Sequence, residues 1–189
     1  MRSEMQRRSF AAQFRAEELD GKRYIEGYFA VFGDIYDMGG GITESIAPGA
    51  FDGQLGEDIR CLIDHETRLV LGRTKAGTLE LRVDDHGLWF RVEINPLDVD
   101  ATNLYARVQR GDVNQCSFGF RILDEEYRLD EATGNVHFTI KKVQLYEGSI
   151  VTFPAYTATE AGARSEQAEG IRKKQLEAWK TRQKGRLKR

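Results

Sequence analysis

A mainly β domain of the α+β class, built as a closed or partly open barrel with a few flanking helices, is the fold this 189-residue sequence predicts. Three observations carry that prediction. Apolar and polar residues alternate over several short stretches, the mark of half-buried strands. Turn signals rich in Asp and Gly separate those stretches. A clean 3.6-residue apolar period occurs at one place in the body, between Asp98 and Arg110.

Residues 10–32 read as paired strands. Phe10, Ala12 and Phe14 alternate with their neighbours, Asp20-Gly21 supplies a turn, and Tyr24 to Phe32 forms a second, aromatic-rich strand. Gly39-Gly40-Gly41 is loop, and no lysine follows it in the manner of a phosphate-binding loop, which argues against a nucleotide site. Ile46 to Phe51 is a turn or short helix start, and Arg60 to His65 is a short strand ending in a histidine. Thr78 to Val83 and Leu88 to Ile94 flank Asp84-Asp85-His86-Gly87 and read as a hairpin. In the helix that follows, Leu97, Ala101, Leu104, Tyr105 and Val108 share a face, and Gly111 stands where a C-terminal cap belongs. Ser117 to Leu123 is a strand, Val136 to Phe153 is one or two more, and Ala168 to Leu187 is a basic helical or disordered segment.

Composition narrows the class. A hydrophobic share of 40% with 31% charged residues is enough for a core and unlike a disordered chain. No run of about 18 apolar residues exists to span a membrane, and the opening MRSEMQRRSF lacks the apolar core of a secretory signal. Two cysteines, Cys61 and Cys116, make no disulfide framework and fit a reducing cytosol. The net charge of -2 conceals a division. Residues 171–189 hold nine Lys or Arg and one acid, a net +8, which leaves 19 basic against 29 acidic residues, a net −10, elsewhere. The expected organisation is a folded body over 1–163 and a basic, flexible or helical tail over 164–189.

Three side chains could carry chemistry. Glu147 and Ser149 fall at alternate positions in a row that also holds Val143, Leu145, Val151 and Phe153. A carboxylate in an apolar row is costly unless it is paired. An ion pair with Arg73, or a bulge that turns Glu147 outward, would account for it without catalysis. Of the three histidines, His86 sits in a turn and His137 opens a strand, where each reads as a surface residue. His65 ends an apolar strand, where it could be structural or a base. Ser117, in Gln-Cys-Ser-Phe-Gly-Phe, lies at a loop-to-strand junction and needs a histidine to remove its proton. Cys116 is the rival nucleophile, but on a strand only one of the two neighbours can face the histidine. No Gly-x-Ser-x-Gly elbow is present, and no histidine or cysteine spacing suits a metal.

At these residues the chain resembles the prohead proteases of tailed bacteriophages, from about Arg7 to about Ala161. The likeness lies in Ile25-Glu-Gly-Tyr-Phe-Ala-Val-Phe, Glu44-Ser-Ile-Ala-Pro-Gly-Ala-Phe, His65 with Leu71-Gly-Arg-Thr, Gly77-Thr-Leu and Gly87-Leu-Trp-Phe. It continues through Arg110-Gly-Asp, Ser117-Phe-Gly-Phe, Glu147, and Val151-Thr-Phe-Pro-Ala-Tyr. The resemblance implies a serine endopeptidase without cofactor or metal, distantly related in fold to the herpesvirus assembly proteases, a β-barrel wrapped by helices. It puts the nucleophile at Ser117, the base at His65 and the acid at Glu147, makes Cys116 a small buried hydrophobe, and leaves Arg73 a candidate contributor to oxyanion stabilisation. It implies work on the major capsid protein and its scaffolding segment, and on the enzyme itself, inside the prohead in the host cytoplasm. The basic tail then reads as an anchor to acidic assembly segments. Nucleic acid is not the expected partner, since little but Trp179 interleaves aromatics with the cations. The competing readings are a catalytically silent internal scaffold of the prohead, which a damaged triad would favour, and an esterase on the same barrel.

Overall fold

The computed structural model describes residues 5–10, 14–153 and 158–186. Eleven strands and two longer helices follow in order: β1 (Gln6–Phe10), β2 (Arg15–Leu19), β3 (Lys22–Val31), β4 (Tyr36–Gly39), β5 (Ile42–Ile46), β6 (Arg60–Ile63), β7 (Glu66–Arg73), β8 (Leu79–Val83), β9 (Gly87–Glu93), α1 (Val99–Arg110), β10 (Gln115–Leu129), β11 (Val136–Val151) and α2 (Ala158–Arg186). Ala12 of the first predicted strand, Pro154 to Tyr156 and Leu187 lie outside the described residues.

The mainly β, α+β class is as expected; the barrel is not closed. A seven-stranded sheet runs β1-β10-β11-β5-β4, with β6 also pairing β11 and β7 pairing β6, and a four-stranded sheet runs β2-β3-β9-β8. The two sheets share a core: Phe29 of β3 stacks on Phe90 of β9 at 3.9 Å between ring centroids, and its ring lies where a Cβ on Gly148 of β11 would have to be. A side chain at 148 would push the sheets apart at the strand that carries Glu147.

Local signals account for most of these elements. Asp20 and Gly21 both take positive φ and close the β2–β3 hairpin in two residues, as a primed turn requires. The Asp84 carboxylate accepts from the amides of His86 and Gly87 and shapes the β8–β9 turn. Asp98 caps α1, accepting from the amides of Asp100 and Ala101, and Gly111 ends it in the left-handed region. The helix buries Ala101, Leu104, Tyr105 and Val108, whereas Leu97, expected on that face, is 89% exposed because it precedes the cap. His137, read as a surface residue, is half-buried and held between the Thr43 and Ser45 hydroxyls at 2.8 and 2.9 Å.

The expected boundary between 163 and 164 falls inside α2. Arg164 and Ala168 are fully buried. Ala168 packs with Ile42, Val136 and Phe138, and the Arg164 guanidinium stands over the Phe138 ring at 4.3 Å. Further along, Arg172 donates to the carbonyls of Gly134 and Gly40 at 2.8 and 3.0 Å. No helix among the described residues is long and apolar enough to cross a membrane.

Candidate active site

The site is built on the antiparallel β10–β11 ladder, in which Ser117 pairs with Ser149 and Gly119 with Glu147. Residues on successive positions point to opposite faces. Cys116, Phe118 and Phe120 join the apolar core, so Ser117 and Gly119 face the other way. Ser117 is therefore not at a loop junction, as expected, but is the third residue of a strand paired on both sides, with Ser9 of β1 opposite it.

A bulge sets the phase of β11. The register steps from Gly119↔Glu147 to Phe120↔Leu145, which leaves Tyr146 unpaired. Before the bulge Val143 and Leu145 lie in the core; after it Ile150 does. The continuous row from Val143 to Phe153 is thus broken. Glu147 and Ser149 leave the core face and turn to the side on which Ser117 stands. Gly119 makes room there, since a Cβ at that position would overlap Glu147 Oε1.

His65 arrives from a third strand. β6 pairs in parallel with β11, Ile63 beside Ile150, and ends in a two-residue turn to β7. Both turn residues, Asp64 (φ 48) and His65 (φ 61), occupy the left-handed region. A two-residue primed turn demands this, and Asp and His tolerate it better than most side chains. The conformation costs about 1 kcal/mol or more per residue. Contacts to the end of β11 offset it: Asp64 accepts from the Thr152 amide at 2.7 Å and the Thr152 hydroxyl at 3.1 Å, and the Asp64 amide donates to Ile150 at 3.0 Å. Asp64 and Thr152 were not predicted as positioning residues; an aspartate inside a turn and a threonine at a strand end give no local sign that they will meet.

These pieces bring His65, Ser117 and Glu147 together. His65 Nδ1 lies 2.8 Å from Glu147 Oε1, and His65 Nε2 lies 2.8 Å from Ser117 Oγ. A carboxylate only accepts, so Nδ1 carries the proton and Nε2 is left to accept from the serine hydroxyl. Ser117 is fully buried and Glu147 is 7% exposed, so the bonds act with little competition from water. The far oxygen, Glu147 Oε2, accepts from Ser149 Oγ at 2.6 Å.

The rival groups lie elsewhere. Cys116 and Cys61 are free, fully buried thiols. Burial pushes both well above the ordinary thiol range, with the Glu147 charge adding to the effect on Cys61. Neither is a ready thiolate. Arg73 is engaged by Asp58 at 2.6 Å through both Nε and Nη2. That contact holds the Asp58 carboxyl at about 2, and Glu147 is bound by His65 and Ser149 rather than paired with Arg73. His86 meets the Tyr28 ring edge-on in its turn. Among the described residues no group of three His, Cys, Asp or Glu is arranged to hold a metal.

Residues 10–174 match the family model described as caudovirus prohead serine protease. The chain is 34% identical over 141 residues to the prohead protease of Enterobacteria phage HK97. That alignment takes in 72% of this chain and 58% of the relative's length. No solved structure matches the chain.

Proposed function

The chain belongs to the caudovirus prohead serine protease family, and we propose that it is a serine endopeptidase of capsid maturation with Ser117 as nucleophile, His65 as general base and Glu147 as the acid that orients the base. The observation that carries this reading is the unbroken run of hydrogen bonds from Ser117 Oγ through the imidazole to Glu147. In the reaction, His65 Nε2 takes the hydroxyl proton as Ser117 attacks the peptide carbonyl. The imidazolium then hands that proton to the leaving amine, and an acyl-enzyme remains on Ser117. Water, deprotonated by the same nitrogen, releases the acyl group. Glu147 holds the Nδ1–H tautomer throughout and balances the positive charge of the imidazolium.

The proposed substrates are the scaffolding segment of the major capsid protein and the enzyme itself, cut inside the prohead in the host cytoplasm. A protease enclosed with its substrate needs little affinity at the site, because confinement raises the effective concentration. We further propose that residues 1–163 carry the protease and that the basic segment beyond them anchors the enzyme to acidic assembly segments. The docked turns around Arg164 and Ala168 join the two parts. Lys173, Lys174, Lys180 and Lys184 stand exposed on the later turns of α2, which suits them to an acidic partner and to self-cleavage.

The test is co-expression with the major capsid protein, with the products read by mass. Ser117→Ala should lose cleavage by roughly a million-fold, while Cys116→Ala, which removes a core thiol, should still cut. Cleavage by Ser117→Ala and none by Cys116→Ala would reverse the assignment.

A further inference from the structure

Ser149 is fully buried, directly opposite Ser117 in the ladder and two residues from Glu147 on the same face. Its hydroxyl donates to Glu147 Oε2 at 2.6 Å, while Oε1 of the same carboxylate receives the imidazole Nδ1–H at 2.8 Å. We propose that Ser149 is a positioning residue of the hydrolysis, a fourth member that acts through Glu147; this rests on the reading of Ser117, His65 and Glu147 as the triad.

The reasoning starts from the flexibility of glutamate. Three side-chain torsions separate the Glu147 carboxylate from its strand, and the last of them is broad and roughly two-fold rather than staggered. The carboxylate reaches across Gly119, which has no Cβ to brace it. A hydrogen bond to each oxygen does fix it. With Oε2 tied to Ser149, a single rotation presents Oε1 to Nδ1. With that tie lost, the carboxylate can swing, and the imidazole loses its fixed plane relative to Ser117.

Two other roles for Ser149 fit less well. As a nucleophile it would need the imidazole, but its hydroxyl is engaged by Glu147 and the imidazole Nε2 by Ser117. As a filler of the core it would have to face the core, and the Tyr146 bulge turns it away.

The experiment uses the full chain co-expressed with the major capsid protein. Proheads are isolated, and the rate of capsid-protein trimming is followed by mass for the wild type, Ser149→Ala, Ser149→Thr, Ser117→Ala, Glu147→Gln and the Ser149→Ala/Glu147→Gln double variant. Ser149→Ala should slow trimming by about ten- to a hundredfold, the scale on which a misplaced catalytic group costs rate. Because it acts through Glu147, the same change should add little to the loss already caused by Glu147→Gln. Ser149→Thr, which keeps the hydroxyl, should recover most of the rate. Ser149→Ala at the wild-type rate overturns the proposal. So does a Ser149→Ala change that slows the Glu147→Gln enzyme by the same factor as the wild type, the signature of a packing defect, and this result decides the matter even if the threonine variant does not fold. Trimming by Ser117→Ala, or none by the wild type, is the distinct outcome that breaks the triad reading itself.

Discussion

Glu147 and Glu44 are both buried carboxylates on strands of the same sheet, 7% and 1% exposed, and they have been given opposite surroundings. Glu44 sits between two guanidinium groups. Arg8 of β1 and Arg164 of α2 both bind it, Arg8 Nη2 at 3.0 Å and Arg164 Nε at 2.8 Å. Glu147 has a hydroxyl on one oxygen and an imidazole on the other. Burial pushes the Glu44 carboxyl up, but the two arginines outweigh it and hold the group below the ordinary carboxylate range. A carboxylate saturated by permanent cations has its charge already matched and nothing left to offer a reaction. One paired with an imidazole has a partner whose charge appears only when the imidazole takes a proton. The first arrangement fastens elements together, here the first strand and the last helix. The second is suited to chemistry.

That contrast makes different demands of the same substitution. Glu147→Gln should cut peptide cleavage about ten-thousand-fold, because an amide can present its N–H to the ring and select the wrong tautomer. Its thermal midpoint should stay near that of the wild type, since the amide oxygen still accepts from Ser149. Near-normal cleavage would move the acid of the triad elsewhere. Glu44→Gln should do the reverse. It takes from the buried Arg8 and Arg164 the carboxylate they share, while Arg164 keeps Glu125 at 2.7 Å; this should cost about 3 kcal/mol of stability and leave the cleavage rate per folded molecule unchanged. Denaturant unfolding and trimming assays on the same samples separate the two effects.

Gly119→Ala should fall between them. The new methyl group overlaps Glu147 Oε1, and a displaced partner of the His65 imidazole should cost about a hundredfold in cleavage. The variant should still fold, because the displaced group lies outside the main core. Unchanged cleavage would mean that Glu147 can be held from another direction.

The smallest effect is one of pH. The folded-state pKa of Glu44 is depressed, so its contribution to stability is fully present above the unfolded carboxylate value, about 4.3, and is lost as pH falls through the lower folded value. The stability gap between the wild type and Glu44→Gln should be constant near neutrality and narrow as pH falls below about 4. Equilibrium unfolding from pH 7 to pH 3 reads the gap directly. A gap that does not narrow between pH 5 and pH 3 would show that the two arginines depend on something other than the Glu44 charge.

Much of this molecule is written locally in the chain. The Asp20-Gly21 and Asp84 turns, the capped helix from Val99 and the strands on either side of them follow from residue types and spacings within a few positions. Ser117 and His65 are singled out by resemblance to a family, and their residue types are coherent with the chemistry proposed for them. What the sequence could not decide is which way the reactive side chains face. Strand alternation has a period of two, so the one extra residue at Tyr146 reverses every side chain after it; this took Glu147 out of an apolar row and set it beside His65. Neither could the sequence decide who partners whom. Glu44 meets arginines 36 and 120 positions away, Asp64 meets Thr152 88 positions away, and Arg73 goes to Asp58 rather than to Glu147. Charge and hydrogen-bonding capacity are properties of single residues and can be read in order along the chain. Their satisfaction depends on distances of about 3 Å between segments remote in sequence, and those distances exist only once the sheets have packed.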